Sequence, residues 1–469
     1  MPHSSEWLLQ LLQRFLKNSI KIQQIHALLI TGSHLLCNSK APPNPKWINT
    51  LLFNTLIRAY LSFNQPRSAL LLYTHMLSHH ANPNAHTFPS IIKSAAVSSR
   101  FLGKLIHAHA VKIGVLSDPF VQTSFVGYYS EVGELDDARK VFDEIPNPCI
   151  VALNSMLDAF VKNGDLGSAV LMFESMGERD VVSWTSVVNG FLWNGRFLEA
   201  IWFFEMMMRS SVKPNEATFV SVLSSCANLD AEGALCRGKE IHGYIIRNEG
   251  ELSVFVGTAL IDFYGKMGFL GSATNVFNQM KNREICAWNA MISSFASNGR
   301  ETEALDLFAE MKAKGIHPNE VTFVAILTAC ARGKLVELGL QLFQSMSNNF
   351  ALVPIAEHYA CVVDLLGKAG LLREATEFIK SMPFEPAGSV LGALLSACKI
   401  HGATELGNEV GRRLLTMQPQ HCGRYVALAS INAEAEKWSH AAGIRRVMAD
   451  AGIQKAPAYS RVVPMRNLV

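Results

Sequence analysis

Apolar residues recur along this chain in sets of three, as Ala-x-x-x-aromatic-x-x-Met: Ala69, Tyr73, Met76; Ala169, Phe173, Met176; Ala200, Phe204, Met207; Ala273, Phe277, Met280; and Ala304, Phe308, Met311. Ala138, Phe142 and Ile145, then Gly339, Phe343 and Met346, then Ala375, Ile379 and Met382 are close variants. Offsets of 0, 4 and 7 place the three side chains on one face of an α-helix, and the small first residue lets a second helix approach closely. A second apolar set precedes it, as in Trp184, Val187, Val188 and Phe191, again at helical spacing. Each unit therefore predicts two helices.

Between the two helices a glycine recurs, at Gly133, Gly164, Gly195, Gly268, Gly299 and Gly370. It supplies the left-handed conformation that ends a helix and reverses the chain. Pro83, Pro214 and Pro318, each followed by Asn, close three of the longest units, where proline cannot continue a helix. The anchors of successive units lie 69, 31, 31, 73, 31, 35 and 36 residues apart, so each of the two long intervals hides a divergent unit. Hairpins this short bury their apolar faces only by stacking. The expected fold is all-α, a right-handed α-solenoid superhelix of stacked helix-turn-helix repeats with an extended inner surface.

Hydrophobic residues make up 49% of the 469 and charged residues 17%, enough for a folded core throughout. No apolar run approaches the roughly 18 residues that span a bilayer. Charge is uneven. Residues 7 to 117 contain no Asp or Glu but eleven Lys and Arg: Arg14, Lys17, Lys21, Lys40, Lys46, Arg58, Arg67, Lys93, Arg100, Lys104 and Lys112. With Glu6, residues 1 to 117 carry +10; the remainder, with 31 basic and 38 acidic residues, carries −7. A basic, acid-poor quarter suits contact with a polyanion, and its first segment suits organelle import. The nine cysteines (37, 149, 226, 236, 286, 330, 361, 398 and 422) include no CxxC pair and are expected as buried free thiols of a reducing compartment.

The residues resemble the pentatricopeptide repeat family, in particular its plant PLS subfamily, in which 35-residue, longer and 31-residue repeats alternate. VVSWTSVVNG, CAWNAMISSF, GTALIDFYGKMG and ELDDARKVFDEIP carry the resemblance. It places repeats at 50–84, 85–118, 119–149, 150–180, 181–215, 216–253, 254–284, 285–319, 320–355 and 356–387. Residues 388–463, with LGALLSACKIHG and EKWSHAAGIRRVMADAGIQK, are similar to two degenerate E motifs, followed by a tail at 464–469; Tyr459, Ser460 and Arg461 depart from the family's usual Cys-Ser-Trp ending. Residues 1–49 are similar to a partial repeat plus linker: QQIHALLITG matches LIHAHAVKIG and EIHGYIIRNEG, and CNSKAPPNP reads as a loop.

The resemblance implies that single-stranded RNA is read one base per repeat, by the fifth and last residues. It assigns Asn54 with Asn84 to a pyrimidine, Asn154 with Asp180 to uracil, Thr185 with Asn215 to adenine, and Asn289 with Asn319 to a pyrimidine. Thr123 and Thr258 keep the first role, but Cys149 and Glu284 depart in the second; Pro89, Val220 and Val324 fit no base code. The second residue packs against the base, which gives Leu51, Phe120, Val151, Val182, Phe255 and Cys286. Asn84, Asn215 and Asn319 also suit turns and helix caps. Asn54, Asn154, Thr185, Thr258 and Asn289 inside apolar helices are harder to explain structurally.

No phosphate-binding GxxxxGK[ST], HExxH or nucleophile elbow occurs, so no enzyme and no cofactor is expected. A deaminase-like DYW domain would need His-x-Glu and Cys-x-x-Cys to hold zinc, and the chain shows neither. His26, His107 and His242 share a helix position but lie whole repeats apart, too far to share a metal. Cys226, Cys330 and Cys398 read as close-packed helix residues. The expected function is site recognition for cytidine-to-uridine editing of organellar RNA, with a DYW-type deaminase and accessory proteins supplied in trans. The expected organelle is the mitochondrion, with the chloroplast as alternative, and no membrane insertion. Rival readings are an organellar factor for RNA stability, splicing or translation, and a protein-binding helical scaffold; a hydrolytic nuclease ranks last.

Overall fold

The computed structural model describes residues 5–32, 34–35, 46–229 and 233–455. The loop at 37–45 with Cys37 and Lys40, the end of the E-motif region at 456–463 with Tyr459, Ser460 and Arg461, and the tail at 464–469 lie outside the described residues. Among those described, every regular element is a helix, and there are 26.

The chain divides into two units, Met1–Ser225 and Cys226–Val469. In the first, α1 (Ser5–Arg14) and α2 (Ser19–Thr31) precede four-helix-and-more stacking of hairpins: α3 (Lys46–Ser62) with α4 (Pro66–Ser78), α5 (Phe88–Ser98) with α6 (Arg100–Lys112), α7 (Pro119–Glu131) with α8 (Leu135–Asp143), α9 (Ile150–Lys162) with α10 (Leu166–Ser175), and α11 (Val181–Trp193) with α12 (Phe197–Arg209). Helix α13 (Glu216–Asn228) contains the point of division. In the second unit α14 (Ala234–Asn248) is followed by α15 (Val254–Lys266) with α16 (Leu270–Gln279), α17 (Ile285–Ser297) with α18 (Glu301–Ala313), α19 (Glu320–Gly333) with α20 (Val336–Phe350), α21 (Ala356–Lys368) with α22 (Leu372–Lys380), α23 (Gly388–Ile400) with α24 (Thr404–Met417), and α25 (Cys422–Glu434) with α26 (Trp438–Asp450). Within each unit the first helix of a hairpin packs on the first helix of the next, and the second helices back them. This is the α-solenoid architecture of helical repeats.

The repeating apolar sets are the glue. Ala69, Ala138, Ala169, Ala200, Ala273, Ala304 and Ala375 are buried, as their small size at a helix crossing requires. Phe173 of α10 meets Trp184 of α11 edge-on at 4.8 Å, and the Arg179 guanidinium covers Phe173 at 4.9 Å. In the second unit Phe277, Trp288 and Arg283 repeat the arrangement at 5.0 and 4.8 Å. The two long intervals contain hairpins whose anchor is glycine: Gly103 of α6 lies under the Tyr128 ring, and Gly238 of α14 under Phe263. The six turn glycines all have left-handed backbones, with φ between 71° and 85°. Asn163 and Asn298, just before two of them, donate to the main-chain oxygens of Ser130 and Gly265 one hairpin back.

Residues 5–31 form two helices packed on α3, and α3 begins four residues before the repeat boundary read at position 50, because Lys46 to Asn49 contain no helix breaker. His26, His107 and His242 each place Nδ1 within 2.9, 2.7 and 2.9 Å of a tyrosine hydroxyl on the following first helix, Tyr60, Tyr129 and Tyr264. They are inter-hairpin struts. Among the described residues no cluster of three or more His, Cys, Asp or Glu is placed to hold a metal, and no helix is long and apolar enough to cross a membrane. Of the eight described cysteines, none in a disulfide, Cys226, Cys330 and Cys398 are buried as expected, but Cys149, at a helix cap, and Cys236, in α14, are exposed.

A Cβ added at Gly238 would come within 2.0 Å of the Phe263 ring, so Gly238→Ala should lower stability by about 1–3 kcal/mol in urea unfolding. Gly271→Ala, in open space on α16, should instead stabilise by roughly 0.5–1 kcal/mol; equal effects would contradict the packing account. Burial pushes His26 and His242 below the ordinary value of 6.5, and it also pushes His107 down against the pull of Glu144 and Asp137. The unfolded chain then binds more protons below about pH 6.5, so stability present at neutral pH is lost on acidification. The melting temperature should fall between pH 7.5 and 5.5, and fall less in His242→Asn.

Candidate nucleic-acid interface

Four first helices, α3, α9, α11 and α17, bury a polar side chain at the fifth position of the repeat. Asn54, Asn154, Thr185 and Asn289 are all buried. A dry amide without partners costs about 1–3 kcal/mol, and the fold supplies partners from the next hairpin. Asn154 Nδ2 donates to Asp180 Oδ1 at 3.0 Å, and Ser183 Oγ donates to Asn154 Oδ1 at 2.7 Å. Asn289 does the same with Asn319 (3.0 Å) and Thr322 (2.6 Å), and Asn54 with Asn84 (3.0 Å) and Thr87 (2.7 Å).

The last residue of the repeat is therefore both pairing partner and helix cap. Asp180 and Asn319 are N-caps with reciprocal capping boxes to Ser183 and Thr322. Asp180 Oδ1 accepts from Asn154 Nδ2 and Ser183 N, at 3.0 and 2.9 Å, with the Ser183 hydroxyl, whose proton goes to Asn154, alongside at 3.0 Å. Asn319 Oδ1 accepts the matching two from Asn289 Nδ2 and Thr322 N, and Asn84 Oδ1 accepts from Asn54 Nδ2 and His86 N. With that oxygen saturated, each last residue turns its other terminal atom outward. An asparagine presents the donor Nδ2, whereas Asp180 presents an acceptor-only oxygen. Burial alone would raise the Asp180 carboxyl, but the bonds from Ser183 and Asn154 outweigh it and hold it below the ordinary carboxylate range.

The other assigned residues are placed differently. Thr185 does not touch Asn215 directly; Thr218 bridges them, at 2.7 Å to Thr185 and 2.9 Å to Asn215. Thr123 turns back to the Pro119 carbonyl at 2.6 Å, and Thr258 to that of Val254 at 2.7 Å, with the Cys286 thiol at 3.5 Å. Their repeats end in Cys149 and Glu284, which make no side-chain cap. Beside the polar pairs the second residues stand out from the surface: Phe120 is 74% exposed, Phe255 64%, Val151 57% and Val182 49%, whereas Leu51 and Cys286 are half-buried. Val321, 58% exposed at the same place in α19, belongs to this row and was not assigned from the sequence.

Residues 179–228 and 283–332 match the PPR repeat family, and residues 52–80, 151–181, 258–285, 321–349 and 357–385 match the PPR repeat. A pentatricopeptide repeat-containing protein of Arabidopsis thaliana is 52% identical over 461 residues, spanning 97% of each chain. The chain belongs to the pentatricopeptide repeat family. Residues 401–463 match the E motif. Two further Arabidopsis family members are 44% and 35% identical; the first, named as chloroplastic, is covered over 75% of its length by 88% of this chain, and the second, named as mitochondrial, over 67% by 87%. Among solved structures, the pentatricopeptide repeat protein PPR10 from maize aligns at 17% identity and a TM-score of 0.46, over 96% of this chain and 72% of its own.

The hydroxyls of Thr87, Ser183, Thr218 and Thr322 are the members of this repeat interface that sequence reasoning missed. Their signal was present: each lies three residues after the last Asn or Asp, the spacing of a capping box. His358 takes the same place in α21, accepting from Ile355 N through Nδ1 at 3.1 Å and reaching the Glu320 carbonyl through Nε2 at 2.9 Å. Ser183→Ala should cost about 1–2 kcal/mol of stability, because it strips Asn154 Oδ1 of its buried donor. Urea unfolding that matches the parent protein would show that the triangle contributes nothing.

Proposed function

We propose that this pentatricopeptide repeat protein is a PLS-type, sequence-selective single-stranded RNA-binding protein of an organelle, a site-recognition factor for cytidine-to-uridine editing. The observation that carries the reading is the set of polar pairs in which one terminal atom is saturated by the fold and the other is left facing out. At 150–180 the outward group is the acceptor-only Asp180, which suits the N3–H of uracil and opposes the N3 lone pair of cytosine. At 50–84 and 285–319 the outward group is the amide nitrogen of Asn84 or Asn319, a donor that accepts either pyrimidine. At 181–215 a hydroxyl beside the Asn215 amide supports adenine. The exposed row of Phe120, Val151, Val182 and Phe255 supplies sequence-tolerant stacking and apolar contact.

The E motif at 401–463 supports the editing role over other RNA-processing roles. It shares one apolar core with the last repeats: Leu327, Val362 and Leu366 continue through Leu395 of α23 into Val410, Leu414 and Ile431. In this reading the chain selects the RNA and a deaminase bound through the E region does the chemistry. The relatives named as chloroplastic and mitochondrial support an organellar address, and the mitochondrion is our assignment.

The test has two arms. Single-stranded RNA with a pyrimidine, uracil, adenine and pyrimidine opposite the first, fourth, fifth and eighth repeats should bind more tightly than scrambled RNA. Replacing Asn154 by Thr and Asp180 by Asn should move preference at the fourth position from uracil towards adenine, by about tenfold or more given 1–3 kcal/mol per mismatched group. Equal affinity for all sequences rejects base reading. An unchanged set of edited organellar cytidines in plants lacking the gene rejects the editing role alone.

A further inference from the structure

Helix α3 is unlike the other first helices. It has 17 residues, whereas α7, α9, α11, α15 and α17 each have 13, and the extra turn lies at its start. That turn carries Trp47, which is 62% exposed. Trp47, Leu51, Asn54 and Arg58 follow at offsets of 4, 3 and 4, so they form one stripe along a single helix face. The stripe lines an open cleft of about 560 Å³, closed on its other side by Asn84 and His86. Such a volume lies within the roughly 300–1,000 Å³ of small-ligand sites.

The charge in this cleft is also distinct. Arg58 is the ninth residue of its repeat, and Lys93 holds the ninth place in the next. In three later repeats the ninth residue is an aspartate tied to a lysine one turn on: Asp158 to Lys162 at 2.8 Å, Asp262 to Lys266 at 2.9 Å and Asp364 to Lys368 at 2.6 Å. No Asp or Glu occurs from residue 7 to residue 117, so Arg58 lines the cleft with no acid on its own helix or on the adjacent α2, α4 and α5, and Glu6 at the start of α1 is the one acid on a described helix packed against α3. An exposed indole beside an uncompensated guanidinium fits a nucleobase joined to a phosphate.

We propose that Trp47 and Arg58 form an extra nucleotide subsite outside the one-base-per-repeat register. The Trp47 indole stacks on the base just beyond the one facing Asn54 and Asn84, whatever its identity, and Arg58 contacts the phosphate that joins the two. The subsite contributes affinity and fixes the register of the strand. It rests on the RNA-binding reading but not on the base assignments.

The experiment uses the full chain and two 16-nucleotide RNAs carrying the decoded bases in opposite strand polarities. Each holds 2-aminopurine immediately outside the nucleotide assigned to the first repeat. Binding is followed by anisotropy, and stacking by quenching of the 2-aminopurine. The parent protein should quench the probe with one polarity. Trp47→Ala should abolish the quench and weaken binding about five- to tenfold while keeping uracil preference at the fourth position; Trp47→Phe should retain most of both. Arg58→Gln should weaken all sequences alike and reduce the salt slope by about one. Base preference in the parent without a quench, or Trp47→Ala binding and quenching like the parent, overturns the subsite alone. A Trp47-dependent quench without base preference supports the subsite and rejects base reading.

Discussion

A buried amide that must be satisfied is the constraint on which the rest of this architecture depends. The first helices pack on one another through apolar faces, and Asn54, Asn154 and Asn289 stand inside that packing. Each is tolerated because the next hairpin delivers an acceptor and a donor together, as Asp180 and Ser183 do for Asn154. The two come from one helix start, so the cap of one helix, the spacing of two hairpins and the orientation of the outward-facing group are a single arrangement. Hydrogen bonds in such a dry network reinforce each other and are costly to leave half made. This is why the outward atom is well defined: the inward oxygen of Asp180 or Asn319 already holds two donors and cannot rotate away without losing them.

The same logic explains the division between repeats that offer a polar pair and repeats that do not. The short repeats ending in Cys149 and Glu284 lack the hydroxyl three residues on: Ala152 and Ala287 stand there instead. Their Thr123 and Thr258 satisfy themselves on their own helix backbones. A threonine can do this because its hydroxyl reaches the carbonyl four residues back, whereas an asparagine in the same place would strand two polar atoms. On the proposed reading, base choice is concentrated where the capping hydroxyl exists, and the remaining repeats contribute stacking surface and spacing.

Much of the fold was legible because stacking imposes a period. Ala, aromatic and Met at offsets of 0, 4 and 7 mark the helix that meets the next hairpin, and Gly133 or Gly299 marks the reversal. The template lost the hairpins anchored by Gly103 and Gly238 because a ring, Tyr128 or Phe263, fills the space that Ala would occupy. What is small is replaced by something smaller when the neighbour grows. The polar pairs were legible as residue types, but their mutual contacts were not, since the bridging hydroxyls look like ordinary capping residues. Trp47 was overlooked for a different reason. The repeat boundary at residue 50 hid a helix that starts a turn earlier, and the side chain that distinguishes the first repeat sits in that turn.

Electrostatics separates affinity from choice along the chain. A cation free of acidic neighbours releases counterions from a polyanion and raises affinity for any sequence. Arg58 has no acid on its own helix, whereas Lys93 lines a pocket with Glu131 of α7, and Lys162, Lys266 and Lys368 each share their charge with an aspartate four residues earlier. Pairing of that exposed kind adds little stability, so its effect is on the field at the surface rather than on the fold. A surface with strong cations everywhere would hold any strand and blur the contribution of one mismatched base. On the proposed RNA-binding reading, the acid-free first quarter of the chain gathers the strand, and Asp180, Asn215 and Asn319 discriminate in a weaker field, where a single unmatched donor or acceptor decides whether the strand stays.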